Sequence, residues 1–234
     1  MKLIIILSFS LLYGLKYPFN IGETLKYKAS FSGIPAGIGT LKIINEEIIQ
    51  NKNTFHIQFQ AKTNGFTNFI FPINDIIDVW IDKKTLMPIQ IRENISEGNY
   101  KRTRYLEIFQ NKGYAIINEK DIINYNTKIH SVYSLFYFFR VLELSTFNKK
   151  SLKILKGNSV EDLEINIENG ININSQLGNF ICTKVVPQKK NLKKFKNEST
   201  ITIWFSNDKK KYPIQIWLKM KYGSLMLELN EIIN

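Results

Sequence analysis

Apolar and polar residues alternate with a period of two along most of this chain, in short runs separated by turn-forming residues. Thr54 to Ala61 (TFHIQFQA) alternates without a break, with Phe55, Ile57, Phe59 and Ala61 on one face and Thr54, His56, Gln58 and Gln60 on the other. That is the pattern of a half-buried β-strand. Leu25, Tyr27 and Ala29 alternate with lysines, and further strands are expected at Ile76 to Ile81, Ile89 to Arg92, Tyr105 to Phe109 and Tyr114 to Asn118, each bounded by Gly, Pro, Asn or Lys. Later in the chain the same rule marks Leu163-Ile165-Ile167, Ile171-Ile173, Ile201-Ile203-Phe205, Ile214-Ile216-Leu218 and Leu225-Leu227-Leu229. Gly33, Pro35, Gly37 and Gly39 fit a bent or bulged turn between two early strands. Many short strands at close spacing imply an antiparallel, meandering sheet.

One stretch breaks the rule. In Ser131 to Leu144 (SVYSLFYFFRVLEL), Val132, Leu135, Phe136, Phe139 and Leu142 recur at helical spacing, and Ser131 suits a helix cap. Tyr133, Tyr137 and Phe138 fill the remaining faces, so this helix is apolar nearly all round and should be buried. Arg140 is the only ion in its first ten residues. Burying it unpaired is costly, so it must reach the surface along its stem or meet an acid, with Asp75 and Asp78 as candidates. The expected fold is therefore mainly β: an antiparallel, strongly curved sheet or incomplete barrel over residues 15–234, one domain, with a buried central helix at about 131–144.

The two sides of that helix echo each other. Trp80 to Ile91 reads WIDKKTLMPIQI and Trp204 to Ile216 reads WFSNDKKKYPIQI, and a glycine follows the proline ten residues later in both. Each copy is a strand, a basic turn and a second strand opened by proline, where no ladder donor is required. A two-half internal repeat is one reading; a lysine-rich hairpin in a biased sequence is the other. Trp80 and Trp204 fall on the polar faces of their strands, where a tryptophan either packs under a crossing element or lines a pocket.

Composition narrows the class. The chain has 234 residues, 44% of them apolar, enough for a substantial core. Its 32 Lys+Arg against 20 Asp+Glu give +12, which suggests an anionic partner, yet only four of the basic residues are arginine. Forked phosphate contacts favour arginine, so nucleic acid is not the expected partner. Six lysines between Lys184 and Lys196 would suit lipid phosphates or simply a solvated loop. Met1-Lys2 followed by Leu3 to Leu12 (LIIILSFSLL) has the form of a secretory signal peptide over residues 1–14, too short to span a bilayer. A periplasmic or otherwise exported location follows, peripheral to a membrane or anchored at one if the signal is retained. A single cysteine, Cys182, allows no internal disulfide.

Catalytic chemistry finds little support. His56 and His130 are the only histidines and show no metal-ligand spacing, so no metal is expected. Cys182 has no partner in its neighbourhood, no glycine-rich phosphate loop appears, and no cofactor is expected. Asp75 and Asp78 form the one carboxylate pair on which a hydrolase could be built.

Three stretches in order, FNIGETLKYKASFSGIPAGIGTLKI (Phe19 to Ile43), SVYSLFYFFR (Ser131 to Arg140) and IWFSNDKKKYPIQI (Ile203 to Ile216) followed by Gly223, carry a resemblance. In this sequence of motifs the chain resembles the bacterial family called domain of unknown function 3108. It departs in having Ile129-His130 before the central serine, where the family commonly places an aspartate. The resemblance implies an exported, β-rich envelope protein and implies no activity. By fold alone it is also distantly similar to periplasmic lipoprotein carriers, whose half-barrels hold acyl chains. The leading expectation is a non-enzymatic protein that binds a lipid or lipoprotein acyl chain against Trp80, Tyr133, Phe136, Phe139, Arg140 and Trp204. The alternatives are a structural component that contacts other envelope proteins around a dry core, and a hydrolase.

Overall fold

The computed structural model describes residues 16–189, 200–221 and 223–234, and the signal-like stretch 1–14 lies outside them. The described residues form one mixed sheet of fifteen strands, two α-helices and a short 3-10 turn. The first meander comprises β1 (Thr24–Phe31), β2 (Ile34–Ile49), β3 (Lys52–Thr63), β4 (Asn74–Asp82), β5 (Pro88–Glu97), β6 (Tyr100–Phe109), β7 (Tyr114–Ile117) and β8 (Asp121–Asn124), with helix α1 (Gly65–Ile70) between β3 and β4. Then come β9 (His130–Ser131), helix α2 (Val132–Val141) and the 3-10 turn Leu144–Thr146. The second meander comprises β10 (Ser151–Lys156), β11 (Ser159–Ser175), β12 (Gly178–Lys189), β13 (Thr200–Ser206), β14 (Pro213–Met220) and β15 (Gly223–Ile233).

Each meander pairs in chain order, and the two join through β1 and β15, so the strand order is β8 to β1 followed by β15 to β9. The sheet does not close into a barrel. Every named pairing is antiparallel except β9 with β10. That exception has a direct cause: α2 carries the chain between these two strands, and a helical crossover returns it in the same direction.

Alternation places most strands but not β8, β9, β10 or β12, and two further differences are informative. Leu163 to Ile167 and Ile171 to Ile173 belong to one strand, β11, because the register shift between Glu168 and Ile171 absorbs Asn169 and Gly170 without ending the ladder. Gly170 supplies the positive φ of 76° needed there. Helix α1 lies in a stretch where no helix was expected. The echo reappears as geometry: the register shifts between Trp80 and Ile81 opposite Pro88, and between Trp204 and Phe205 opposite Pro213. In both turns an aspartate accepts from the backbone N–H groups two and three residues on, Asp82 from Lys84 and Thr85, Asp208 from Lys210 and Lys211. Asp82 stands two residues after its tryptophan and Asp208 four, so the two turns are related but not identical.

One face of the sheet and α2 share the core. Leu25, Ile43, Ile57, Val79, Ile108, Ile165, Val185 and Phe205 are fully buried there with Phe139 of the helix. Ser131 caps α2 as its sequence suggests: its hydroxyl accepts from Ser134 N–H at 3.1 Å, and Ser134 Oγ accepts from Ser131 N–H at 2.9 Å. The helix stops at Val141 rather than Leu144. Leu142 turns extended, and its carbonyl accepts from Lys211 Nζ at 2.5 Å. Helix α2 touches both meanders, with Phe59 of β3 against Phe136 (ring centroids 5.6 Å apart) and Phe205 of β13 against Phe139 (6.1 Å). Arg104 of β6 also reaches across to the β10–β11 turn, where its Nη2 donates to Gly157 O at 2.6 Å and Asn158 Oδ1 at 3.1 Å.

Two glycines of β2 give opposite expectations. A Cβ on Gly37 would run into the Lys62 carbonyl and the Thr63 backbone of β3, whereas one on Gly39 would meet Leu227 Cδ2 at 3.5 Å, an ordinary contact. Gly37→Ala should cost about 1–3 kcal/mol and lower the melting temperature by several degrees, while Gly39→Ala should leave it nearly unchanged in a thermal melt followed by circular dichroism.

Candidate functional site

Small side chains on three neighbouring strands leave room under the helix. Ala29 of β1, Gly37 and Gly39 of β2, and Ala61 of β3 line a cavity of about 270 Å³, walled by Leu41, Phe59, Ile216 and Leu227 of the sheet and by Val132, Tyr133 and Phe136 of α2. The lining is almost wholly apolar. An enclosed dry void of this size would cost about 6 kcal/mol at roughly 24 cal/mol per Å³, comparable to the whole stability of many domains. The cavity is not sealed but partly open to solvent.

A polar recess of about 200 Å³ adjoins it, sharing Val132 and Tyr133 as lining and adding Glu93, Arg102, Arg104, Lys156 and Gly157. Tyr133 spans the two: its ring lies 5.3 Å from that of Phe59, and its hydroxyl donates to Glu93 Oε1 at 3.3 Å. Burial first, then the Glu93 charge, push its phenol far above the ordinary range, so it stays a neutral donor. Glu93 also accepts from Arg102 Nη2 at 2.9 Å, and Arg104 Nη1 stands 3.8 Å away. Two arginines thus face one carboxylate, with Lys156 on the same recess. The hydrogen bonds of Arg104 engage only its Nη2, leaving Nε and Nη1 without a hydrogen-bond acceptor among the described residues.

The residues expected at the site divide. Tyr133 and Phe136 line the cavity. Phe139 does not: it is wholly buried between Phe138 and Phe205. Arg140 is not a free anchor either, and its partner is neither Asp75 nor Asp78. Its Nη1 and Nη2 clasp Glu23 Oε1 and Oε2 at 2.5 and 3.0 Å, and Nε and Nη2 donate to Lys210 O at 3.2 and 3.1 Å. Phe19, Tyr137 and Tyr212 surround the guanidinium with ring centroids 5.2–5.7 Å from its carbon. Trp80 points away from the cavity, stacked on His56 with centroids 4.4 Å apart, its Nε1–H donating to Glu47 at 3.0 Å. Alternation likewise sets Trp204 opposite Ile203 and Phe205, beside Lys184 and Gln215.

The groups weighed for catalysis are separately occupied. Asp75 accepts from Ser96 N–H at 2.8 Å, while Asp78 accepts from His56 and Gln58. Burial raises Asp78, but those two hydrogen bonds outweigh it and hold the carboxyl below its usual value. The two carboxylates, three residues apart on β4, are on opposite faces and make no pair. Burial pushes the Cys182 thiol up to about 11, so it is not a nucleophile at neutral pH. Among the described residues no group of three potential metal ligands assembles.

What sequence reasoning missed was the floor of the cavity and the ionic recess. Ala29, Gly39 and Ala61 carry no chemistry of their own, and only their alignment across β1, β2 and β3 gives them a role.

The family model described as "Protein of unknown function (DUF3108)" matches residues 26–230. The chain belongs to the DUF3108 family. No curated protein matches it. Among solved structures, this DUF3108 chain is similar to a "Beta-barrel-like Protein of Domain of Unknown Function DUF1849" from Brucella abortus, with TM-score 0.59 at 6% identity, covering 91% of this chain and 97% of that one. A "putative exported protein with YmcC-like fold" from Bacteroides fragilis gives TM-score 0.41 at 11% identity, covering 94% and 100%. The first likeness supports the mainly β fold. In this DUF3108 protein no helix of the described residues is long and apolar enough to cross a membrane.

Removing one member of the buried pair should be severe. Arg140→Met or Glu23→Leu alone should cost about 3–5 kcal/mol in urea unfolding, because each strands a buried charge, and the double variant should recover much of that loss. His130 gives a pH dependence. Burial pushes it down to about 4, so below the unfolded value of 6.5 the unfolded chain takes up a proton that the folded one refuses. Stability should fall by about 3 kcal/mol between pH 6.5 and 4, and His130→Leu should remove that part of the slope in unfolding curves at several pH values.

Proposed function

We propose that this protein is a non-enzymatic carrier of an acyl-chain amphiphile in an exported compartment. The observation that carries the reading is the apolar cavity itself, which lies just below the roughly 300–1,000 Å³ common for ligand sites and is lined by small residues that make it deep. The neighbouring recess, with Arg102, Arg104 and Lys156 around one carboxylate, suits an anionic head group. The chain lies along Phe59, Tyr133 and Phe136, and the head meets the unmatched donors of Arg104.

The carrier reading includes a strongly curved sheet wrapped around α2, in the manner of a half-barrel. Contacts of this one short helix with both β3 and β13, and the reach of Arg104 to the β10–β11 turn, support that shape. Export rests on the Met1 to Leu12 pattern. The two matching tryptophan hairpins support an origin in two related halves, β1 to β6 and β10 to β15, which follow one another in the same order along the sheet.

Titration of delipidated protein with a fluorescent long-chain fatty acid tests the carrier. Saturable binding is expected, and Gly39→Leu with Ala61→Leu should abolish it while the melting temperature holds. Arg104→Gln should weaken the fatty acid by about ten-fold or more, the worth of one charge-assisted hydrogen bond, and leave the matching alcohol unaffected. Absence of binding, with no lipid on the native protein in mass spectrometry, would leave the structural reading, with α2 sealing a dry core.

A further inference from the structure

Helix α1 is turned inside out. Phe66, Phe69 and Ile70 recur at i, i+3 and i+4 and so share one face, the spacing by which a short helix normally seats itself on a core. Here that face is turned to solvent, with Phe66 77%, Phe69 87% and Ile70 64% exposed, and no residue of the helix is buried. The polar residues hold it to the protein instead. Thr67 Oγ1 donates to Pro35 O at 3.0 Å, Thr63 Oγ1 donates to Asn68 Oδ1 at 3.0 Å, and Asn64 N–H donates to Ala36 O at 3.3 Å. The arrangement is fixed, because Thr63 and Ile73 close the segment by exchanging backbone and hydroxyl hydrogen bonds.

The apolar surface continues beyond the helix. Phe71 is 49% exposed and packs on the β5–β6 turn at Gly98, while Ile34 and Ile38 of β2 are 67% and 48% exposed. Scattered single apolar residues need no explanation, but a contiguous cluster rich in phenylalanine does. Lys62, at the end of β3, and Lys101, at the start of β6 beside that turn, are exposed and make no ion pair among the described residues. The whole chain carries +12. The cluster also borders the apolar cavity, since Ile38, Lys62, Thr63 and Ile73 line it.

We propose that the face formed by Phe66, Phe69, Ile70 and Phe71 docks on a lipid bilayer containing anionic phospholipid, inserting its aromatic side chains at the level of the head groups. Aromatic residues favour that depth, and lysines at the flank add attraction to anionic lipid without themselves leaving water. A soluble protein partner or a second copy of this chain would also cover apolar surface. The flanking unpaired lysines and the strong positive charge favour the bilayer. Docking in this pose brings the Ile38 and Ile73 side of the cavity towards the membrane. It rests on the exposed helix, not on the carrier reading, and either can fail alone.

Flotation of the full chain with 100 nm vesicles tests the docking. Wild type should rise with vesicles of phosphatidylglycerol and phosphatidylcholine, and Phe66→Ser/Phe69→Ser should lower the partition coefficient at least ten-fold while keeping the melting temperature and fatty-acid binding of wild type. Lys101→Glu should weaken binding to the mixed vesicles and not to pure phosphatidylcholine. The proposal is overturned if wild type fails to float, or if the double serine variant floats equally well. It is also overturned if sedimentation shows a dimer that the double variant abolishes while vesicle binding is unchanged.

Discussion

The ion pair between Arg140 and Glu23 is the constraint on which the arrangement of the whole molecule turns. Both side chains are about 1% exposed, so each would be intolerable without the other. The pair is completed by the Lys210 carbonyl, which takes the remaining guanidinium donors, and by Phe19 and Tyr212, whose rings cover it. It therefore ties together the start of β1, the end of α2 and the β13–β14 turn. These are the three stretches by which the sequence resembles its family. They are far apart along the chain and meet at one guanidinium. Desolvation opposes charging Arg140, but the Glu23 carboxylate more than offsets it and holds the arginine above even its ordinary value.

The opposite end of α2 is packed differently. At Val132 to Phe136 the strands beneath the helix set alanine and glycine among their leucines and isoleucines, and the packing gives way to a cavity. The helix thus has two roles along ten residues. Its last turn is a fixed plug, and its first turn forms the wall between an apolar chamber and a recess rich in arginine.

Much of the scaffold is legible in the sequence, for a physical reason. A sheet with one buried face needs strict alternation, and Thr54 to Ala61 or Ile201 to Phe205 have little other reading. The capped helix at Ser131 is equally plain. Other features depend on pairing between distant residues. That Arg140 needed an acid follows from its surroundings; that the acid is Glu23, 117 residues earlier, does not. For Trp80 and Trp204 alternation left packing and pocket lining both open, and only the partners of Trp80, His56 and Glu47, show that it packs. Gly33 to Gly39 reads as turn chemistry, while Gly39 serves by the volume it leaves empty. Phe66 to Phe71 escaped notice because local rules assume that phenylalanine is buried.

The seam between β1 and β15 has a bearing on how the molecule comes into being. Thr24 pairs with Ile233 and Phe31 with Leu225, so the middle of the sheet is assembled from opposite ends of the polypeptide. Neither meander can cover that seam by itself, and closing so long a loop carries an entropic cost that slows assembly. A chain emerging in order from a ribosome keeps an unpaired β1 edge until β15 has followed it. The topology thus delays completion of the native sheet until nearly the whole polypeptide has been made, and leaves the edge of β1 open to other strands in the meantime.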